Sequence, residues 1–202
     1  SPSFLQVRPD DRMLRAAKAC EVRVERVTYD LIVIGSGPAG EKGAAKAAFF
    51  GKKVAVVEEA PAYGGAVANT GVPGKAMRET ALYLSGFLQR ELHGLTLAFD
   101  DTLTIDRFMH RGRTVRRALD ESIGANLERH RIDVHHGRAI FVDPYTVRVD
   151  RESGSTLLEA GVILLATGSK PRRPPMIPFG EAGIYDSDTI QQMDRLPRSL
   201  AI

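Results

Sequence analysis

Residues 29–40 read YDLIVIGSGPAG, an apolar run followed at once by three glycines in the spacing G-x-G-x-x-G. The run LIVI is typical of a strand buried on both faces, as strands of parallel sheets are. The next segment, EKGAAKAAFF, predicts a helix whose first turn holds Pro38 and which ends at Gly51. A second buried strand, KKVAVVEE, follows it. Strand, glycine turn, helix and strand within about 30 residues predict the start of a doubly wound, Rossmann-like α/β fold.

The three glycines have the physical properties that a dinucleotide pyrophosphate site requires. Gly35 permits the tight turn, Gly37 lets the backbone approach phosphate oxygens, and Gly40 allows the helix to lie close to the strand. The start of the helix adds free N–H groups and partial positive charge, which favour a bound anion. Glu58 ends the second strand, where a carboxylate can accept the hydroxyl hydrogens of an adenosine ribose. These residues leave NAD and FAD open, whereas the acid disfavours the 2′-phosphate of NADP.

Two long helices and several short strands are predicted beyond this unit. Residues 60–74 are expected to form a loop, and apolar spacings of three and four predict one helix from Lys75 and another after Asp101. From Ile132 the period becomes two, so IDVHHG, AIFVD, TVRVD and STLLEA are expected to form an antiparallel meander. The segment GVILLATGS then returns to the buried, parallel type. The expected fold is therefore a Rossmann-like domain with a parallel sheet, two long helices and an antiparallel β-meander.

Composition excludes several classes of protein. The 202 residues are 43% hydrophobic and 26% charged, with a net charge of +3, as in ordinary globular proteins. This charge is too small for a nucleic-acid surface, and no apolar stretch approaches the roughly 18 residues that cross a membrane. Cys20 is the single cysteine, and the adjacent His135 and His136 would point to opposite faces of a strand. We therefore expect a cytoplasmic protein with no metal site and with neither nucleic acid nor membrane as a partner.

The order of the motifs resembles that of the flavoprotein pyridine nucleotide-disulfide oxidoreductases. The segments that carry the resemblance, from Tyr29 to Ile202, are YDLIVIGSGPAGEKGA, VAVVEE, GGAVANTGVPGKAMRE, HHGRAIFVD, VILLATGSKPRRP and YDSDTI. Within the family the chain is most similar to the soluble, FAD-containing pyridine nucleotide transhydrogenases. The resemblance implies that FAD is the cofactor, that NAD(P)H is the substrate, and that hydride passes between pyridine nucleotides through the flavin.

The resemblance also implies which residues contact the cofactor. The glycine motif would hold the pyrophosphate, Glu58 the adenosine ribose, and the second glycine segment the phosphate and ribityl groups. A strand backbone at Ala139 would meet the adenine, and the turn at 166–168 would close over the cofactor. The implied cofactor-binding residues are Gly35, Ser36, Gly37, Pro38, Ala39, Gly40, Glu58, Gly64, Gly65, Asn69, Gly71, Lys75, Ala139, Ala166, Thr167 and Gly168.

Lys75 is the implied catalytic residue, because the family places a lysine beside the reactive edge of the flavin. A cation there would stabilise electron-rich reduced flavin. The alternative for Lys75 is a solvated lysine at a helix end, and the alternative for Asn69 and Gly71 is turn formation alone. The arginines at positions 111, 113, 116 and 117 are expected to lie on a solvated helix face.

The sequence departs from the family at its redox centre. The disulfide reductases carry two cysteines in the segment matching residues 65–73, whereas here Val67 occupies the first position and the second is missing. The resemblance therefore implies hydride transfer through flavin and not disulfide reduction. The expected organisation is an N-terminal extension over 1–28, an FAD-binding domain over 29–190, and over 191–202 a linker and the start of a missing NAD(P)-binding domain.

Alternatives to a flavin-dependent hydride-transferring enzyme stay open. The chain could be a catalytically inactive FAD-binding module, or one piece of a split or truncated flavoprotein. It could also be a fragment of an NAD-binding dehydrogenase that uses the first glycine motif for NAD. The expected partners are small-molecule nucleotides, together with further C-terminal domains or a homodimer partner.

Overall fold

The apolar runs of the sequence form the inner strands of a six-stranded sheet. A computed structural model describes residues 26–89 and 104–201 of the chain. The strands are β1 (Arg26–Ile34), β2 (Val54–Glu58), β3 (Asp133–His136), β4 (Arg138–Asp143), β5 (Thr146–Arg151) and β6 (Gly154–Leu165). The helices are α1 (Pro38–Phe49), α2 (Val72–Gln89) and α3 (Ile105–Arg129), with a π-helical turn at Val67–Gly71 and a short 3-10 helix at Ile190–Gln192. None of these described helices is both long enough and apolar enough to cross a membrane.

Four strands of the sheet are parallel, and two continue it in antiparallel order. The strand order is β3-β2-β1-β6-β5-β4. Leu31 of β1 is paired with Val54 of β2 on one side and with Val162 of β6 on the other. β3 runs parallel to β2, whereas β4, β5 and β6 are joined antiparallel. The predicted fold class, a Rossmann-like α/β domain with two long helices and an antiparallel β-meander, is confirmed.

The core lies on both faces of β1. Val33 belongs to a buried cluster with Ala44 of α1 and Leu127 of α3. The preceding residue, Ile32, points to the opposite face and belongs to a second cluster with Leu158 of β6. Both Ile32 and Val33 are fully buried. β1 is therefore fixed from two sides, and so is the point at which the loop after it leaves the sheet.

The meander differs from the sequence-based expectation at both of its ends. The alternating pattern of IDVHHG predicts a strand of the meander, but β3 lies beside β2 in the parallel part, with His135 next to Val57. An edge strand alternates in burial just as a meander strand does, so the pattern alone could not separate the two. STLLEA and GVILL form one continuous strand, β6, which pairs with β5 at its start and with β1 along most of its length.

The second half of β6 is more exposed than its apolar sequence predicts. Val162 and Leu165 are 60% and 62% exposed. β5 pairs with β6 only as far as Glu159, so within the described residues this half of β6 has a single neighbouring strand, β1. An apolar run therefore does not by itself distinguish an inner strand from an edge strand.

The expected loop over 60–74 is helical in its second half. The π-helical turn Val67–Gly71 continues directly into α2. Pro73 accounts for the wide turn, because in a regular α-helix its ring would clash with the carbonyl four residues earlier.

The first strand starts earlier than the sequence predicts: β1 begins at Arg26, before the expected Tyr29. Most of the expected N-terminal extension, including Cys20, lies outside the described residues.

Two leucines of β6 provide a test of this core. Leu158 is fully buried and Leu165 is 62% exposed, so the two differ in burial but not in chemistry. We expect Leu158→Ala to lower the free energy of unfolding by about 2–5 kcal/mol. We expect Leu165→Ala, the matched control, to change it by less than about 0.5 kcal/mol. Urea unfolding followed by circular dichroism measures both values, and equal losses in the two variants would contradict the described core.

The segment after β6 is held by one carboxylate, Asp186. Arg173 Nε donates to Asp186 Oδ2 at 2.7 Å, and the backbone N–H and hydroxyl of Thr189 both donate to Oδ1 at 2.8 Å. The bonds from Arg173 and then Thr189 favour the ionised carboxylate and hold the pKa of Asp186 well below its usual value of 3.8.

This lowered pKa predicts a pH-dependent contribution to stability. Because the folded pKa lies below the unfolded one, the contribution is present above pH 3.8 and is lost as the pH falls further. We expect Asp186→Asn to have a lower Tm than the wild type at about pH 7, and the difference to shrink below about pH 4. Differential scanning calorimetry across this range measures it, and a difference that stays constant down to about pH 3 would rule the explanation out.

Candidate dinucleotide-binding site

Three loops meet at the carboxyl edge of the parallel strands, where ligands bind in open α/β sheets. Gly35 N–H, just after β1, donates to the carbonyl of Val57 in β2 at 2.8 Å. Ala166 N–H, just after β6, donates to the carbonyl of Ile34 at 2.9 Å. The loops that follow β1, β2 and β6 therefore begin side by side.

The glycines of the first loop meet very different surroundings. Gly35 has φ +103°, and a Cβ there would overlap the carbonyl of Ala166. A Cβ on Gly40 would overlap the carbonyl of Gly35, so α1 lies directly against the turn. Gly37, which caps α1, is open: no atom lies within 4 Å of the position its Cβ would take. Pro38 and Ala39, in the first turn of α1, are exposed beside it.

The second glycine segment lies against the first. Gly64 N–H donates to the carbonyl of Ser36 at 3.2 Å and to its hydroxyl at 3.1 Å. Gly64 and Gly65 have φ values of +89° and +55°, a region that favours glycine. A Cβ on Gly65 would lie 3.5 Å from Cα of Gly37. The two segments thus form one backbone-lined surface at the start of α1, as their joint assignment to the cofactor requires.

Glu58 is a buried carboxylate tied to both segments. It is 8% exposed, and its Oε2 accepts hydrogen bonds from Ser36 N–H at 2.8 Å and from the Ser36 hydroxyl at 2.6 Å. Among the residues that the structure describes, its Oε1 accepts one hydrogen bond, from Ala60 N–H at 2.9 Å. Since each carboxylate oxygen has about two acceptor positions, Oε1 retains one for a further donor. The sequence did not predict the Ser36 hydroxyl as the partner of Glu58.

Next to Glu58 lies the turn between β3 and β4. His136 is paired with Glu58 across the strands, and Gly137 N–H donates to the Glu58 carbonyl at 2.9 Å. Ala139 follows two residues later in β4. The Tyr63 hydroxyl lies 3.3 Å from Nε2 of His136, and the pKa of Tyr63 is raised by burial first and then by nearby carboxylates, including Glu58. Glu58 and the backbone near Ala139, which is expected to contact the adenine, therefore lie in the same part of the carboxyl edge of the sheet.

Helix α3 is joined to the second glycine segment by Arg116, which acts through Asn69. Arg116 Nε donates to Asn69 Oδ1 at 2.9 Å, and Asn69 Nδ2 donates to the carbonyls of Tyr63 and Gly65 at 3.2 and 2.9 Å. Arg111 and Arg113 form exposed ion pairs, as a solvated helix face would. The expectation for Arg116 was therefore incomplete, because its guanidinium is bonded to a residue of the predicted site.

A buried carboxylate also joins α1 to α3. Glu41 is 6% exposed and accepts hydrogen bonds from Lys42 Nζ at 2.9 Å and from Asn126 Nδ2 at 2.5 Å. This contact was not predicted from the sequence. It adds a polar contact between the first turn of α1 and α3.

The remaining predicted site residues lie in the turn after β6 and around the start of α2. Thr167 and Gly168 are exposed in the turn after β6. Gly71 and Lys75 are exposed in the π-helical turn and in the first turn of α2. Among the described contacts, no hydrogen bond or ion pair joins Lys75 to the glycine segments, so its place beside a flavin stays a prediction.

The glycine-lined loops, the helix start and the buried acid have the arrangement that a Rossmann-type dinucleotide-binding site requires. The chain belongs to the pyridine nucleotide-disulphide oxidoreductase family, whose model matches residues 29–201. The family resemblance inferred from the order of the motifs is thereby confirmed.

Similar proteins fall into the same group. The chain is 38% identical over 177 residues to a soluble pyridine nucleotide transhydrogenase of Mycobacterium bovis (strain BCG / Pasteur 1173P2), and 38% identical over 182 residues to one of Marinomonas sp. (strain MWYL1). Each match covers 86% of this chain and 38% of the relative. The solved Cu(II) complex of the HOCl-induced flavoprotein disulfide reductase RclA from Escherichia coli matches with a TM-score of 0.69 at 28% identity, covering 85% of this chain and 36% of that one. The chain thus spans 38% of the length of these curated relatives.

Alanine substitutions at two glycines of the first loop should change the free energy of unfolding by different amounts. Gly40→Ala would place a methyl group on the carbonyl of Gly35, and we expect a loss of about 1–3 kcal/mol in the free energy of unfolding. Gly37→Ala meets no atom within 4 Å at an ordinary φ of −62°, and we expect a change below about 1 kcal/mol. Chemical denaturation compares the two variants. A loss at Gly37 as large as that at Gly40 would be inconsistent with the described packing.

Proposed function

We propose that this chain is the FAD-binding part of a flavin-dependent oxidoreductase that transfers hydride between pyridine nucleotides. The observation that carries the proposal is the buried Glu58, held by Ser36 beside the two glycine segments. Membership of the family and similarity to proteins named soluble pyridine nucleotide transhydrogenase support the same conclusion.

The shape of the site supports FAD over NAD as the ligand. A pyrophosphate at the start of α1 would meet the open backbone at Gly37 and the favourable end of the helix dipole. The backbone of Gly65 lies next to Gly37, and this stretch without side chains suits the phosphate and ribityl groups of a longer dinucleotide. Glu58 would accept a ribose hydroxyl at Oε1, and its charge would repel a 2′-phosphate.

The other predicted residues would complete the site. The backbone at Ala139 would lie against the adenine, and the turn at Ala166, Thr167 and Gly168 would close over the cofactor. Bound flavin supplies the hydride chemistry, while the protein binds and orients it. Lys75 would act by placing a positive charge near the flavin's reactive edge. From the family we also propose a pyridine nucleotide substrate and a further domain or homodimer partner. A cytoplasmic location is proposed on the same ground.

The proposed reaction does not use a thiol. Val67 is 50% exposed at the start of the π-helical turn, at the position where disulfide reductases of the family carry a cysteine. The sequence contains one cysteine, so no redox-active pair can form within the chain. The disulfide reductase activity in the name of RclA is therefore not proposed for this protein.

Isothermal titration of the purified chain with FAD, and separately with NAD, tests the proposal. We expect FAD to bind and NAD to bind far more weakly. Binding of NAD alone would favour the dehydrogenase alternative, and binding of neither would refute the cofactor assignment. Bleaching of the flavin on anaerobic addition of NADH or NADPH to the FAD complex would exclude an inactive binding module. An unbleached flavin would show that this chain alone does not accept hydride, as expected if a further domain binds the pyridine nucleotide.

Gly37→Ala tests the role of the open backbone. The added methyl group would occupy the space through which phosphate oxygens approach, so we expect FAD affinity to fall about tenfold or more, equivalent to about 1.4 kcal/mol. Gly161→Ala is the control, because its methyl group also meets no atom within 4 Å and lies on β6, away from the site. Equal FAD affinity in the wild type and in Gly37→Ala would place the pyrophosphate elsewhere.

A further inference from the structure

One stripe of α3 contacts the segment that contains Gly64 and Gly65. Asp120 Oδ1 accepts a hydrogen bond from Tyr63 N–H at 2.7 Å, immediately before the glycine pair. Arg116 Nε donates to Asn69 Oδ1 at 2.9 Å, after the pair. Arg116 and Asp120 are four residues apart and therefore project from the same face of the helix. They hold the segment on both sides of its glycines.

Apolar contacts extend the same stripe by one turn. A Cβ on Gly64 would lie 2.8 Å from Cδ1 of Ile123, so the backbone of Gly64 already lies against that side chain. A Cβ on Gly124 would lie 3.3 Å from the ring of Tyr63. With Arg116 and Asp120, these residues have the spacing of one helix face. The face is thus matched to residues 63–69 by hydrogen bonding and shape.

We propose that Arg116 and Asp120 are positioning residues that hold the Gly64–Gly65 segment in its ligand-binding conformation. The inference rests on the proposed FAD function, because the segment matters for binding only if it lines the cofactor site. Neither side chain needs to touch the cofactor. Arg116 acts through Asn69, and Asp120 acts through the backbone of Tyr63.

The conformation of the two glycines explains why the segment needs the contacts of Arg116 and Asp120. Two consecutive glycines with positive φ have more conformational freedom in an unrestrained chain than other residues do. A ligand that binds a loose segment must supply the free energy that orders it, and a segment already held in place removes that cost. Asn69 shares in the restraint, since its amide donates to the Gly65 carbonyl at 2.9 Å.

The chemistry of each contact selects the variants. Asp120→Ala removes the acceptor of Tyr63 N–H, whereas Asp120→Asn keeps an amide oxygen at the same position and should rescue it. Arg116→Met keeps the apolar part of the side chain but removes the donor to Asn69. Arg117→Met is the matched control, because Arg117 is exposed on the same helix and next in sequence but lies off the stripe.

Hydrogen exchange of the full chain, measured without added nucleotide, tests the restraint directly. We expect Asp120→Ala and Arg116→Met to speed amide exchange about tenfold or more over residues 63–69, with β1 and β2 unchanged. Asp120→Asn and Arg117→Met should exchange like the wild type. Unchanged exchange over 63–69 would overturn the inference, and so would an equal increase throughout the sheet, which would mark a general loss of stability.

Titration with FAD tests the link to the cofactor site. We expect Asp120→Ala and Arg116→Met to weaken FAD binding about tenfold or more, and the control to bind like the wild type. The double variant of Asn69→Ala and Arg116→Met should bind no more weakly than Asn69→Ala, because Arg116 acts through Asn69. Faster exchange with unchanged FAD affinity would overturn the positioning role. A wild type that binds no FAD would instead refute the proposed function. The hydrogen-exchange data alone would then decide whether Arg116 and Asp120 restrain residues 63–69.

Discussion

At the carboxyl edge of the sheet, the backbone of Gly40 lies so close to the carbonyl of Gly35 that no side chain fits between them. This approach fixes α1 against β1, and the fully buried Ile32 and Val33 fix β1 from both faces. The position of the first turn of α1 is therefore fixed, and it lies next to the open backbone of Gly37. The position of the anion-binding end of the helix is thus a result of core packing.

The second constraint is electrostatic. Glu58 is a buried charge, which would be costly without partners, and Ser36 and Ala60 supply three hydrogen bonds to it. Because the Ser36 hydroxyl also accepts from Gly64 N–H, the same network holds the second glycine segment. The bonds that make the buried acid tolerable are therefore the bonds that assemble the site.

The sequence predicted the parts of this site that depend on local pattern. The glycine spacing, Glu58 and the strand, helix and strand unit are readable because each role depends on residue type at fixed separation. The contacts of Arg116 and Asp120 were not readable, since they join residues 47 and 57 positions apart and only the folded chain brings these together. The parallel placement of β3 was missed for a related reason: a period of two reports which face is buried and not which strand is the neighbour.

The surface formed by Gly37, Gly64, Gly65 and Glu58 is proposed to bind FAD. Incubation of the purified chain with FAD, removal of free ligand by gel filtration, and a visible absorption spectrum of the protein peak test it most directly. We expect flavin absorption bands in the protein peak and the release of FAD, identified by chromatography, on denaturation. A protein peak without flavin bands, from a chain that circular dichroism shows to be folded, would contradict it.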